Sequence, residues 1–495
     1  MKKIRIIAAL LALLMVLPLA VACSGKDGDD AENTVSTQGG SSTGEYDANG
    51  YLKDYIPADL RYDGDGEPKE VTVLAWSEVK YDFYNDGLTE DIISNAVFER
   101  KTVVEDRLGV KLEYVLEPGN NNNRTKFVEK VTTAYYGGSA DYDIIGSYSM
   151  TAPFLSIQGM LADMSENQYM RFDGPWWNDT LLDGCSIGDE LYFVSGDMAV
   201  STLSEVFCIQ VNMDMLDEKK LDDPRQIVAD GEWTLAKMFE MITDVYDDYG
   251  ATGKDESDVY GLILSAPPVL DAFLIGSDIR YVDRNANNVY SLTDTFESEK
   301  TYDLIGLILR KRTQENDFAE IEGYKHFANG NSLFTLCTMG EVITGKSTAK
   351  FTYSVIPIPM HDDEQKSYKT TLGYPYTMFS VPTNAYDTEM SGVILECMAS
   401  EGYRQLRPVI YDAVKYQNSN DELDVKMFDI IIEGITYDIG RIFNDVFEQG
   451  ATWSASPVAL FRDCIVHGVE FYSNLSSNRN GLKKGFEALN TKAAE

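Results

Sequence analysis

The rhythm of residues 71 to 145 constrains this chain more than any other feature. Val71-Thr-Val-Leu-Ala-Trp76 is an apolar run of strand length, the pattern of a strand buried on both faces. Ile93, Val97, Val104 and Leu108 then recur at helical spacing, and Gly109 stands where a left-handed C-cap belongs. Val110, Leu112, Tyr114 and Leu116 alternate as a strand. A second helix carries Phe127, Val131 and Ala134 on one face and stops at Gly137-Gly138, and Tyr142-Asp-Ile-Ile145 is a third strand. Strand, helix, strand, helix, strand predicts an α/β domain around a mostly parallel sheet. Such sheets bind ligands beyond the carboxyl ends of their strands. Those ends are Trp76-Ser77-Glu78 and Gly146-Ser147-Tyr148-Ser149.

The alternation restarts downstream. Leu191–Val194, Phe207–Val211, Gly261–Leu264, Leu333–Thr338, Tyr353–Ile358 and Thr377–Val381 read as strands, Thr234 as an N-cap, and Tyr302–Leu309 as a helix, while the last hundred residues read mostly helical. A chain of 495 residues is long enough for two cores.

The N-terminus bears on location. Lys2, Lys3 and Arg5 precede an apolar run from Ile6 to Ala22, interrupted by Pro18, and Ala20-Val21-Ala22-Cys23 resembles the lipobox of bacterial lipoprotein signals, with Ala in place of the commoner Leu. The run is short for a membrane span. Residues 24 to about 49 contain almost no large apolar side chains, so they cannot offset the entropy of ordering and predict a tether. Together these features predict a signal peptide over 1–22, a lipid on Cys23 and a flexible tether over 23–50. A net charge of −38, more negative still without the signal's basic residues, argues against nucleic acid and against electrostatic docking on anionic lipid. Cys185, Cys208, Cys337, Cys397 and Cys464 form no CxxC motif and sit mostly in apolar stretches, where buried free thiols are expected; no disulfide can be chosen among them. Three scattered histidines, His326, His361 and His467, disfavour a histidine-based metal or catalytic site.

Several ordered stretches carry a family resemblance. Gly159-Met-Leu-Ala-Asp-Met164, Gly188-Asp-Glu-Leu-Tyr-Phe193, Val206–Leu216, Gly231-Glu-Trp-Thr-Leu235, Val259-Tyr-Gly-Leu262, Phe327-Ala-Asn-Gly330, Val355-Ile-Pro-Ile-Pro359 and Phe379-Ser-Val-Pro-Thr383 fall in sequence at intervals similar to those of family 1 extracellular solute-binding proteins of ABC importers. Pro175-Trp-Trp-Asn178 resembles a feature of longer Gram-positive members. The resemblance covers roughly residues 70 to 490. It implies a two-lobed, type II periplasmic-binding-protein-like α/β fold, with hinge strands between discontinuous lobes: 51–207 plus 372–415, and 208–371 plus 416–495. It further implies a monomer with no cofactor and no catalytic residue. Such a monomer would be anchored outside the cytoplasmic membrane, close around a carbohydrate and pass it to permease subunits.

A sugar cleft needs flat aromatics for C–H faces and carboxylates for hydroxyls. The strand ends nominate Ser77, Glu78, Ser147, Tyr148 and Ser149. Family position adds Ser277, Asp278, Glu341, Tyr374 and Tyr376, and stacking chemistry adds Trp176, Trp177 and Trp453. Trp76 and Trp233, within a strand and beside a helix cap, read as scaffold. Gly340–Ser347 satisfies GxxxxGK[ST], but the residues after it are strand-like rather than helical, so it reads as a chance match. Asp283–Asp294 partly resembles a calcium loop but lacks its glycine and final glutamate. A surface glycoside hydrolase, an adhesin, or a receptor for peptides or another solute remain alternatives.

Overall fold

The computed structural model describes residues 45–250, 255, 257–264, 267–314, 318–320, 323–345, 349–448 and 455–495. The expected signal peptide over 1–22, Cys23, residues 24–44 of the tether and Trp453 lie outside the described residues. The first α/β run gives β1 (Lys69–Trp76), β2 (Val110–Glu117) and β3 (Ile144–Tyr148), separated by the helices Ile92–Leu108 and Arg124–Gly137. The expected signals act as read. The Asp91 carboxylate accepts from the amides of Ile93 and Ser94, and the first helix ends at Gly109 with φ 64°. The second buries Phe127, Val131 and Ala134 and ends at a left-handed Gly138.

Next come β4 (Ser186–Ile187), β5 (Glu190–Leu191) and β6 (Phe193–Val194). The single strand expected over Leu191–Val194 is thus broken at Tyr192. β5 pairs with β4 while β6 joins β14, and the Leu191 amide donates to Asp163 Oδ1 at 2.8 Å. The second run supplies β7 (Phe207–Asn212), β8 (Tyr260–Leu264), a hairpin of β9 (Val282–Arg284) and β10 (Tyr290–Leu292), then β11 (Phe318–Glu320), β12 (Ser332–Thr338) and β13 (Tyr353–Ile356). β14 (Thr377–Ser380) returns to the first sheet.

Two five-stranded sheets result, ordered β2-β1-β3-β14-β6 and β11-β8-β12-β7-β13. β1 runs parallel to β2 and β3, and β8 parallel to β11 and β12, whereas β14 and β7 run antiparallel to their neighbours. The first sheet therefore draws on residues before 195 and after 376, and the second on the stretch between them.

The chain passes between the sheets at segments that pair with one another. Val206 bridges Leu372, the Gly373 amide donates to Glu205 O at 2.7 Å and the Phe207 amide to Thr371 O at 2.9 Å. A third pass lies alongside, where Thr370 bridges Ile435. The C-terminal helices touch both sides: Asn444–Glu448 packs on Thr151–Ile157, and Pro457–Val466 on Glu299–Gln314. Residues 49–495 make one compact unit.

Trp76 and Trp233 are scaffold. Both are buried, and their indole N–H groups donate to Thr377 Oγ1 at 2.9 Å and Pro357 O at 3.1 Å. The five cysteines are buried free thiols; Cys208 and Cys337 face each other across β7 and β12 with sulfurs 3.9 Å apart. Among the described residues no helix is long and apolar enough to cross a membrane.

Candidate functional site

The carboxyl ends of β1 and β3 meet the two crossings at one place. Tyr148 ends β3 and packs edge-on against Trp76, ring centroids 5.5 Å apart. The Ser149 hydroxyl donates to Tyr374 O at 2.6 Å, which ties this strand end to the second crossing. Beside them, Asp82 is buried and accepts from the Ser201 amide at 2.8 Å, the Ser201 hydroxyl, and Thr377 Oγ1 at 2.6 Å. Burial nevertheless raises its carboxyl above the ordinary value, with the Ser201 and Thr377 donors opposing.

Tyr374 lies over two arginines, with the guanidinium carbons of Arg441 and Arg462 4.7 Å and 5.7 Å from its ring centroid. Both converge on the buried Asp271. Arg441 Nε donates to Oδ2 at 2.8 Å, Arg462 Nε to Oδ1 at 2.8 Å and Arg462 Nη2 to Oδ2 at 2.6 Å, and the Tyr281 hydroxyl reaches Oδ1 at 3.2 Å. Burial alone would raise the Asp271 carboxyl, but Arg462 and Arg441 outweigh it and hold it below the ordinary value. Arg441 Nη1 also donates to Thr371 Oγ1 at 2.7 Å, which joins the cluster to the crossing.

On the opposite flank, Arg124 at the start of its helix pairs with Asp445 at 2.5 Å and approaches Glu448 at 4.0 Å. Burial lifts Asp445 to about 6, against the pull of Arg124. Glu205, at the first crossing, is lifted to about 8 by burial, with Glu341 and Asp82 adding to it. Glu341 closes a capping box. Its Oε2 accepts from the Thr338 amide at 2.8 Å while its own amide donates to Thr338 Oγ1 at 3.3 Å.

The nominated residues divide accordingly. Tyr148, Ser149, Tyr374 and Glu341 lie at this junction. Ser77 and Glu78 sit at the end of β1, where the Glu78 carboxylate accepts from the amides of Gly119 and Asn120 at 3.0 Å and 3.2 Å and so pins the loop after β2. Ser147 is wholly buried in β3. Ser277 and Asp278 lie at the far end of the helix that begins with Asp271; Ser277 is buried, and Asp278 pairs with Lys369 at 2.8 Å.

Three of the nominated aromatics lie in the core. Trp176 and Trp177 are buried in the first lobe and offer no stacking face. Trp176 packs near Tyr403 and Arg404, and the Trp177 indole donates to Glu396 Oε2 at 3.1 Å. Tyr376 is likewise buried against Tyr437. An apolar ring gains more from a core than from a wet cleft, and the sequence does not say which has room for it.

The GxxxxGK[ST] match is not a phosphate loop, because Gly340–Gly345 lies within the helix Met339–Gly345. The calcium-like stretch is a β9–β10 turn in which Asn285 Oδ1 accepts from the amides of Asn287 and Val289. Among the described residues no cluster of three His, Cys, Asp or Glu is placed to hold a metal. A separate pocket of about 420 Å³ lies between the helices Leu235–Met241 and Glu299–Gln314 and has none of the strand-end residues in its wall.

No family model matches the chain, and no curated protein is similar in sequence. Solved structures are similar in fold. An ABC substrate-binding protein from Listeria monocytogenes in complex with cycloalternan aligns with a TM-score of 0.54 at 13% identity, over 84% of this chain and 99% of that one. The chain has the two-lobed fold of the sugar-binding ABC substrate-binding proteins. A cyclo/maltodextrin-binding protein complexed with maltotetraose gives 0.55 at 10% identity, over 85% of this chain and 98% of that one. UgpB from Mycobacterium tuberculosis in complex with glycerophosphocholine gives 0.53 at 13%, over 86% and 99%. In a fold of this kind the junction of strand ends and crossings lies between the lobes, where pockets concentrate.

Sequence reasoning passed over Glu205, Asp271, Arg124, Arg441, Arg462 and Asp445. A signal existed for three of them: Asp271 in PVLDAFLIG, Arg441 in IGRIF and Arg462 in VALFRDCIV are charges inside apolar runs, which burial tolerates only when they are paired.

Proposed function

We propose that this protein is an extracellular, lipid-anchored receptor that captures a carbohydrate, probed best as an oligosaccharide, and delivers it to ABC permease subunits. The observation that carries the reading is the junction itself. Tyrosine faces, carboxylates and arginines from both lobes converge beside paired crossing segments, in a fold whose solved relatives hold maltotetraose and cycloalternan. Sugars offer apolar C–H faces and hydroxyl edges, and this set of groups complements both. The crossings are the natural hinge, so capture proceeds by closure, as a monomer and without bond cleavage. Glycerophosphocholine in a relative of the same fold keeps non-sugar solutes in the test. Cys23 carries the lipid, and the tether holds the folded unit at the outer face of the cytoplasmic membrane.

The test is a thermal-shift and Trp-fluorescence screen against neutral and amino oligosaccharides, glycerophosphodiesters and peptides, with product analysis for cleavage. A solute at a hundredfold over its Kd adds about 2.7 kcal/mol, a rise of about 2–4 °C. A saccharide hit without cleavage products supports the reading; hits confined to peptides or phosphodiesters replace the solute, and cleavage products replace the receptor by an enzyme. Anchoring is tested separately. Labelling with an alkynyl fatty acid marks the wild type, and Cys23→Ala loses the label and appears in the medium.

A further inference from the structure

We propose that the captured solute carries a protonated amine, seated against the carboxylates of Glu205 and Glu341 beside the crossings. The inference rests on the carbohydrate-receptor reading above and narrows it to amino-bearing saccharides.

Charge accounting around the junction comes first. Arg124 pairs with Asp445 and Glu448, and Arg441 and Arg462 share the one carboxylate of Asp271, with Arg441 Nη2 left without a partner. The buried Arg100 donates to the carbonyls of Met198, Asp82 and Phe83 and sets its charge near the Asp82 carboxylate. Two acids are left over. Neither Glu205 nor Glu341 has an ion-pair partner among the described residues.

They are neighbours by construction. The first turn of the helix Met339–Gly345 lies against the first crossing, with a Cβ on Gly340 falling 3.1 Å from Ser204 O. Glu205 itself lies against the second crossing, since a Cβ on Gly373 would fall 2.3 Å from its Oε2. The groups facing Glu205 are Tyr81 and Asp82 from the turn after β1, Tyr148 from the end of β3, Glu341, and the Gly373 backbone. None of them is a cation.

A second observation points to a ligand. Tyr148 is only 5% exposed, and its hydroxyl has no hydrogen-bond partner among the described residues. It lies within the electrostatic reach of Glu205, Tyr374, Arg124 and Asp445, so it faces into the junction. The Tyr374 hydroxyl is also buried without a partner. A buried hydroxyl left unbonded, as in Tyr374, is costly, and a polar solute seated here can bond to both.

The choice of amine over hydroxyl follows from charge. A sugar hydroxyl can bond to Glu205 but brings no positive charge, so the Glu205–Glu341 pair stays without a cation. An ammonium supplies that cation and lets both carboxyls ionise beside it. Burial and Glu341 keep Glu205 protonated up to about pH 8 in the empty site. Docking an ammonium at about pH 5.5, where a glucosamine amine is already protonated, therefore expels the Glu205 proton to buffer, and the carboxylate–ammonium pair forms in its place.

The experiment is calorimetric titration of the full chain, purified in detergent, with chitosan oligomers and with chitin oligomers of the same length. The two differ in free amine against N-acetyl. Titrations at about pH 5.5, where both the free amine and the empty-site Glu205 are protonated, use two buffers of different ionisation enthalpy. The expected result is at least tenfold tighter binding of the free amine, with close to one proton released per site. Glu205→Gln is expected to remove both the preference and the proton release. Equal affinity for the two oligomers with no proton release overturns the amine proposal and leaves the carbohydrate receptor standing. Binding of no saccharide, charged or neutral, overturns both. Proton release is read on the wild type, so the outcome does not depend on whether the variant folds.

Discussion

Two groups of buried charge flank Tyr374, and they are built in opposite ways. Around Asp271, one carboxylate is held by two guanidiniums and a phenol. Around Glu205, two carboxyls approach one another with no cation among the described residues. The first has its carboxylate paired: the arginines overcome burial and keep Asp271 ionised. The second is incomplete: burial and Glu341 push Glu205 toward its neutral form. Neither arrangement is cheap, since burying charge costs several kcal/mol per ion before pairing returns it. The paired cluster ties the helix Asp271–Gly276, the C-terminal helices and the crossing at Thr371 into one frame. The uncompleted cluster is the place where something from outside can add stability, which is what a binding site requires.

The comparison can be broken most directly at Asp271. Asp271→Asn leaves Arg441 and Arg462 buried without their counter-ion, and the expected loss is about 3–5 kcal/mol, read by urea unfolding. A loss under about 1 kcal/mol would show that the arginines find other partners.

The pH dependence sharpens it next, because the two clusters have opposite slopes. Asp271 has a folded pKa below its ordinary 3.8, so its contribution is present above that value and lost as pH falls through the folded one. Glu205 has a folded pKa raised from 4.5 to about 8. The folded chain keeps a proton that the unfolded chain releases, so stability falls as pH climbs from about 4.5 toward 8. Glu205→Gln is therefore expected to raise the Tm of the empty protein at pH 8 and to change it little at pH 5. Parallel Tm–pH curves for variant and wild type would remove the distinction between the clusters.

The smallest effect is expected at Gly373. Its Cβ would meet only the movable end of the Glu205 side chain, 2.3 Å away. Gly373→Ala should cost about 1 kcal/mol, the lower end for overpacking, while displacing the carboxylate and weakening the preference for a free amine. An unchanged preference would place the amine elsewhere.

Much of the fold was legible in residue order. The helices ending at Gly109 and Gly138 and the sheet strands β1, β2 and β12 follow from periodicity and caps that act over a few residues. The site was legible only in part. Tyr148 and Ser149 stand at the junction of strand ends and crossings, and a strand's carboxyl end is a local property. Trp176, Trp177 and Tyr376 are buried, which was not legible because an aromatic side chain suits a core and a cleft equally well, and only packing across 219 residues of sequence, from Trp177 to Glu396, places it.

The sequence by itself determined the α/β alternation, the caps that delimit its helices, and the lipobox-like start of the chain, because periodicity, backbone preference and short motifs are local. Only the tertiary structure decided which charges are paired. Asp271 finds Arg441 and Arg462 at separations of 170 and 191 residues, and Glu205 meets Glu341 through two crossings that fold back on each other. Electrostatic energy depends on distance in space and on exclusion of water, and neither is written along the chain until the sheets have closed around it.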